Sequence, residues 1–261
     1  MKDSYFSLFI LWLKTYRKFV LAIVALYIVF LIIYFPASIF ISVLKLPGNI
    51  KVSGISGTAW SGNIQTVYIS GIKLGRLSWK LHPAYLILGT VAADISVDGQ
   101  QQYFNSWVKL SPAGKVELED TRFEINLSSL QPLTYGMPVS YSGSVTGHFP
   151  VSRFYKNHYV ALNGKLSLAK LEMISPQRQA FGDFDMDFRA EKEGMTSAQL
   201  KDKSELLSVS GTLTLSKKGL LKLSAKVAAR QKGSSLDNAV SILGPRDATG
   251  SVQLNNHFKL W

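Results

Sequence analysis

One unbroken apolar run constrains this chain more than any other feature. From Phe19 to Leu44 no side chain is charged, and Phe19 to Phe35 is apolar or aromatic throughout. About 20 helical residues, rising ~1.5 Å each, cross the hydrocarbon of a bilayer, so the run predicts a transmembrane anchor over residues 19–44. Pro36 should kink or end the helix near its outer end. A cleaved signal peptide would carry a shorter apolar core, about 7 to 15 residues, leading to a small-x-small site. Here Pro36, Ala37 and Ser38 lead instead into further apolar residues, Ile39 to Leu44.

Charge sets the expected orientation. Lys2, Lys14, Arg17 and Lys18 stand against Asp3 before the run, and a flank of that kind is retained in the cytoplasm. Residues 1–18 are therefore expected as a cytoplasmic tail and residues 46–261 as an exported, periplasmic domain. Trp12, Tyr16 and Tyr34 fall where an interfacial aromatic belt would lie. The apolar tail Tyr5 to Trp12 either lies along the inner leaflet or extends the membrane helix inward.

The chain has no cysteine, which removes disulfides, thiolate catalysis and cysteine metal sites. A bacterial envelope fits an exported domain of this size without disulfides better than an animal extracellular space does. The expected setting is thus the inner membrane of a Gram-negative cell. Removing residues 1–45, with five basic side chains and one acidic, from the chain's 29 basic and 17 acidic residues leaves 24 against 16. That surplus points to an anionic neighbour such as a lipid headgroup surface. Its densest stretch holds Lys217, Lys218, Lys222, Lys226, Arg230 and Lys232, with Lys222, Lys226 and Arg230 at even spacing on one strand face; it reads first as a solvated sheet face, with an anionic surface contact as the alternative. Nucleic acid is not expected as a partner, since no binding motif is present.

Beyond the anchor the chain alternates with period two. Asp183 to Arg189 (DFDMDFR) points Phe184, Met186 and Phe188 one way and three aspartates the other. Ile64–Leu74, Leu77–Leu81, Val91–Val97, Arg122–Leu127 and Leu220–Val227 read alike. One-sided alternation favours antiparallel sheet. Glycines 143, 164, 211 and 250 each open such a run and are expected at hairpin starts, relieving strain at bends or bulges. Helices are few: Ser235–Leu243, bracketed by a serine cap and Gly244-Pro245, and short turns at Pro83–Leu88 and Ser128–Leu133. The fold class expected is mainly β: an N-terminal transmembrane helix followed by a long curved antiparallel sheet, a half-open groove or taco, with one or two short helices. Two sub-sheets joined near Leu130–Met137 are a variant of it.

Catalytic signatures are missing. There is no G-x-S-x-G, H-E-x-x-H, phosphate loop or dinucleotide fingerprint. His82, His148, His158 and His257 lack metal-ligand spacing, although 148 and 158 could meet across a hairpin. Glu117 with Glu119, and Asp183, Asp185 and Asp187, fall on strand faces expected to be solvated. No enzyme, metal or cofactor is expected.

The densest pattern follows the anchor: Leu46-Pro47, then SGISGTAWSG (53–62), then GIKLGRLSWKLHPAYLILG (71–89). Read from the residues, it is a set of tight glycine turns with Trp60 and Trp79 as packing anchors. The array resembles the amino-terminal pattern of the type II secretion system protein N family. The matching positions are Gly54, Gly57, Thr58, Trp60 and Gly62 of a G-x-x-G-T-x-W-x-G motif, then Leu77, Trp79, Leu81 and Pro83, then Leu86 and Gly89. The resemblance implies a non-enzymatic accessory component of the inner-membrane platform, touching inner-membrane and secretin-linking subunits of a machine that exports folded periplasmic proteins. An alternative stays open: a lipid-binding or lipid-transfer domain resembling AsmA-like and bridge-like envelope proteins, with an acyl chain in its β-groove.

Overall fold

The structure is a computed structural model. It describes residues 2–44, 46–134, 140–155, 158–175, 177–191, 194–216 and 219–259, with backbone alone at 2–16, 131–134 and 158–160. Helix α1 (Lys2–Ile33) ends three residues before Pro36, and α2 (Ala37–Val43) begins just after it. Pro36 has no N–H to donate and disfavours helical geometry at Phe35, so the helix stops there. Pro36 itself is extended, at φ −63° and ψ 138°. The single span expected over 19–44 is therefore two helices. Phe19–Ile33, the uncharged part of α1, rises only about 22 Å against a hydrocarbon core of about 30 Å. Among the described residues, no helix is long and apolar enough to cross a membrane.

Thirteen strands follow: β1 (Ile50–Gly57), β2 (Ser61–Ile69), β3 (Ile72–Leu81), β4 (Val91–Asp98), β5 (Gln102–Leu110), β6 (Lys115–Asn126), β7 (Ser140–Tyr155), β8 (His158–Ser175), β9 (Gln179–Ala190), β10 (Thr196–Asp202), β11 (Leu207–Leu215), β12 (Leu220–Ala229) and β13 (Val252–Lys259). They form one open antiparallel sheet in strict sequence order, with β1 and β13 as its edges. The sheet is continuous where two sub-sheets were considered: β6 and β7 pair from Lys115↔Tyr155 to Asn126↔Ser144. Helix α3 (Pro83–Ile87) links β3 to β4, α4 (Ser235–Ile242) links β12 to β13, and a 3-10 segment, Leu127–Thr134, follows β6.

Register explains why so long a sheet holds together. Directly opposed residues share a face, and the pairs chain into one row: Ile55, Ile64, Leu77, Val97, Phe104, Phe123, Gly147, Leu166, Met186, Leu200, Gly211, Ala225 and Leu254. No member is polar. At ~4.8 Å between strands this apolar row is about 58 Å long. The opposite face carries the charges, joined across strands by Arg153–Glu117 at 2.5 Å, Lys203–Asp185 at 2.5 Å and Lys165–Asp187 at 3.9 Å.

Two devices keep the row in step. Extra residues at Asp120 (φ +46°) on β6 and Lys170 (φ +53°) on β8 make bulges, which bend the strand and raise its twist. The Lys170 N–H donates to Asp183 Oδ1 at 2.7 Å, which satisfies the group the bulge would orphan. The second device is glycine beneath aromatic rings. A Cβ on Gly147 would lie 2.3 Å from the Phe123 ring, and one on Gly164 would lie 2.4 Å from the Phe149 ring. Phe123 and Phe149 are stacked 6.1 Å apart. Gly164 and Gly211 thus sit inside strands against a neighbour, not at hairpin starts; Gly143 (φ +135°) does lie at a bulge and Gly250 (φ +82°) in a turn.

Among the described residues, helices cover the apolar face toward its two ends. Helix α2 packs Ala37 against Ile64, Val67 and Trp79, and α4 packs Leu236 and Val240 against Phe184, Leu207, Val209 and Val252. Between them the row remains half-exposed at Val97, Phe104, Phe123, Leu166 and Met186. The chain exposes 17500 Å², against about 11,000 Å² for a compact globule of its mass.

Two predictions follow from this packing. Gly147→Ala should lower stability to urea by about 1–3 kcal/mol, an overpacking cost, and adding Phe123→Leu should recover part of it. The second concerns acid. Hydrogen bonding from Arg153, with the charges of Arg153, Lys115 and Lys109, holds the Glu117 carboxyl below its usual range despite burial. Lys203 and Ser167 do the same for Asp185. A carboxylate depressed in the folded state adds stability above its unfolded pKa, and that stability is lost as pH falls through the folded value. The melting temperature should therefore be flat from about pH 7 to pH 5 and decline below about pH 4, near the ordinary carboxylate range.

Candidate functional site

The residues of the densest sequence pattern converge on one joint between helix and sheet. Gly57 and Gly62 close the β1–β2 hairpin as an opposed pair. Gly57 has φ +93°, and a Cβ there would lie 2.5 Å from the Ser61 carbonyl oxygen. Only glycine adopts this backbone without strain. Thr58 completes the turn: its N–H donates to Ser61 O at 2.9 Å, and its Oγ1 accepts from Ser61 N at 3.2 Å.

That turn is stitched to the end of α1. The Trp60 indole Nε1–H donates to Ile32 O at 2.7 Å, the Ala59 N–H donates to Phe35 O at 2.8 Å, and Pro36 bridges Thr58. The last carbonyls of a helix lack their regular partner four residues on; the Ile32 carbonyl accepts the Phe35 N–H at 3.3 Å and, more closely, the indole from 28 residues downstream. Trp79 locks the other side. Its Nε1–H donates to Ala59 O at 3.0 Å, and its ring lies over Gly62, where a Cβ would come within 2.5 Å of it. Leu77 and Leu81 flank Trp79 on the same face and pack with it beneath α2. The Leu81 N–H donates to Trp60 O at 2.7 Å. Gly54 (φ +70°) stands over the Gln65 side chain.

Pro83 is the first residue of α3, where its missing N–H costs nothing. Gly89 (φ +67°) ends that turn, donating to Leu86 O at 2.9 Å. The eleven residues of the pattern therefore lie in the joint-proximal halves of the first three strands or in the turns at that end.

The basic stretch is not gathered in the same way. Lys217 and Lys218 lie outside the described residues. Lys222 and Lys226 are exposed on the polar face of β12, opposite His257 and Gln253, and Lys226 Nζ lies 3.8 Å from Asp247. Arg230 falls just past the strand. It pairs with Asp202 and donates to the Ser204 and Leu207 carbonyls at 2.9 and 3.3 Å, closing the β10–β11 loop. Lys232 is exposed beyond it. Along a ten-residue strand this spreads the charges over about 33 Å.

Other polar groups are taken up structurally. His148 Nε2 lies 3.0 Å from Asp120, and His82 Nε2 lies 2.7 Å from Asp94. His148 faces Lys165, whereas His158 faces Tyr155, so the two histidines are far apart along the hairpin. No group of three metal-ligating side chains occurs among the described residues. An open polar cleft of about 750 Å³, lined by Gln65, Lys73, Arg76, Gln101 and Gln102, lies at the opposite end of the sheet from the joint.

Sequence reading singled out Gly57, Thr58, Trp60, Gly62 and Trp79, but neither Ala59 nor the carbonyls of Ile32 and Phe35 that the joint binds. The link from Trp60 to Ile32 joins positions too distant for spacing to reveal, and the one available signal was Pro36, which fixed where the helix had to stop. Trp60→Phe keeps the ring and removes the donor, leaving the Ile32 carbonyl with only the longer bond from the Phe35 N–H. It should cost about 1–2 kcal/mol in urea unfolding of the whole chain, and it should speed proteolysis at Tyr34–Pro36. Trp60→Ala should do both more strongly.

Comparison with known proteins places the whole. The family described as Type II secretion system (T2SS), protein N matches residues 48–255, from just before β1 into β13. A relative named Type II secretion system protein N, from Vibrio cholerae serotype O1, is 41% identical over 64 residues, covering 24% of this chain and 25% of the relative. The aligned part is thus about a quarter of the length of that relative. No solved structure matches. With the family match running through nearly all of the sheet, the chain belongs to the type II secretion system protein N family.

Proposed function

We propose that this protein is a non-enzymatic accessory component of the type II secretion system, held in the inner membrane by α1 and supporting assembly or stability of the platform that exports folded periplasmic proteins. The observation that carries this reading is the family match over residues 48–255. Its charge pattern supports the topology, with residues 1–18 cytoplasmic and the sheet periplasmic. The side chains of α1 support the membrane assignment: Phe19, Leu21, Ile23, Leu26 and Tyr27 are each more than half exposed, and the helix meets the rest of the protein at its C-terminal end. Phe19–Ile33 is short for the bilayer; a short apolar stretch is accommodated by snorkelling of flanking Arg17 and Lys18 and by local thinning. The partners proposed are the neighbouring inner-membrane and secretin-linking subunits.

The joint gives this reading mechanical sense. A sheet tied to its helix by Trp60, Ala59 and Pro36 cannot swing freely, so the helix would fix the direction in which the sheet extends from the membrane. Trp60→Ala, expressed at wild-type level, should reduce secreted enzyme in the medium and raise the periplasmic pool. Unchanged secretion in a strain lacking the gene would overturn the assembly reading.

The apolar row favours a second reading. Between the two helical covers the row stays half-exposed from Val97 on β4 to Met186 on β9, about 24 Å at ~4.8 Å per strand, the shape of a trough for acyl chains. Extraction of the purified full chain for lipid mass spectrometry separates the two. Stoichiometric phospholipid would support lipid handling, whereas a lipid-free chain that crosslinks to secretion subunits would support assembly alone.

A further inference from the structure

Strand directions place three features at one end of the sheet: the α1 joint, the loop carrying α3, and the β5–β6 turn. Leu81 at the end of β3 bonds to Trp60, whose indole bonds to Ile32; two residues after Leu81 the chain enters α3. The α3 loop therefore stands beside the end of the membrane helix.

Its surface is unlike a solvated loop. Ile87 is 88% exposed and Leu88 75%, with Leu86 beside them at 40%. Beneath them Val91 and Leu110, opposed across β4 and β5, are also exposed. Such a loop tip is usually polar, and five residues are too few for a helix to persist through its own hydrogen bonds. Pro83 and the left-handed Gly89 fix the turn, so the aliphatic side chains are held outward. Behind the tip, Lys109 Nζ lies 5.7 Å from the Tyr85 ring centre and 5.9 Å from that of Trp107, and the two rings meet edge to face at 5.7 Å. Of the nearby carboxylates, Asp94 pairs with His82 and Glu117 with Arg153 and Lys115, whereas Glu119, opposite Trp107, is exposed. Protruding aliphatics backed by Tyr, Trp and Lys match the chemistry of the headgroup–acyl boundary.

We infer that α3 is a second membrane contact: Ile87 and Leu88 enter the outer leaflet of the bilayer that holds α1, with Tyr85, Trp107 and Lys109 at headgroup level. The inference rests on the reading of α1 as membrane-held. With α1 and α3 both engaged, the sheet is held at two points and cannot rotate about the helix axis.

The absence of cysteine makes the test direct. Ile87→Cys, Phe30→Cys and Ile242→Cys are each made in the full chain, labelled with an environment-sensitive fluorophore and reconstituted in phosphatidylethanolamine–phosphatidylglycerol vesicles. Residue 242 is 84% exposed at the opposite end of the sheet and serves as the aqueous reference. The expected result is blue-shifted emission, loss of quenching by aqueous iodide and gain of quenching by a spin label high on the lipid acyl chain, for positions 30 and 87 and not for 242. Position 30 protected with position 87 aqueous overturns the second contact and leaves the α1 reading standing. Positions 30 and 87 both aqueous overturn both. Protection of 87 from iodide without quenching by the lipid spin label also overturns the inference, since the cover is then protein.

Discussion

Register is the constraint on which everything else in this protein depends. A sheet of thirteen strands in sequence order has no second sheet packed against it to choose which side faces in. Each strand must present its apolar set to the same side as its neighbours, and a slip of one residue would turn a strand's aliphatics toward the charged face. The row from Ile55 to Leu254 shows that the choice is made consistently at every interface. The bulges at Asp120 and Lys170 are part of that consistency, because each shifts the parity of a long strand where its sequence would otherwise drift out of phase. Glycines 147 and 164 serve the same end by giving Phe123 and Phe149 room to lie across the row.

The helix–sheet joint solves a different problem, that of fixing a helix to the first hairpin without a large interface. Few side chains do this work, and they act through backbone groups. Trp60 and Ala59 donate to carbonyls at the end of α1 and just past it, Trp79 donates back to Ala59, and glycines 57 and 62 let the strands and the indole approach. Such contacts are directional. They tie the orientation of the helix to that of β1 and β2 in a way that apolar packing by α2 alone would not.

Much of the fold was legible because its signals are local. Period-two alternation marked the strands, and the serine cap, apolar spacing and Gly244-Pro245 marked α4, where Ser234 does accept from Asp237 N. Pro83 and Gly89 marked α3 for similar reasons. What could not be read was set by distance. Continuous apolarity from Phe19 to Leu44 suggested one helix, because hydropathy does not register that Ala37 and Ile41 belong to the sheet's own core. The even spacing of Lys222, Lys226 and Arg230 suggested a shared charged face, but β12 ends at Ala229 and the arginine turns to Asp202. Trp60 and Trp79 stood out in the sequence, while what they bind did not, since each donates to a backbone carbonyl rather than a side chain.

Sequential strand order also has a kinetic meaning. Every large strand pairing joins neighbours in the chain, so each new hairpin can add to an edge that already exists, and no strand waits for a distant partner before it can pair. Most of these connections are short hairpin loops, whose closure costs little chain entropy; those between β6 and β7 and between β12 and β13 are longer. A chain emerging amino-terminus first could therefore build its sheet outward from the joint like a zipper, with the tethered hairpin as the template and only the newest strand left unpaired at any moment. For a protein that otherwise would expose thirteen sticky edges in turn, the tether doubles as the place where folding begins.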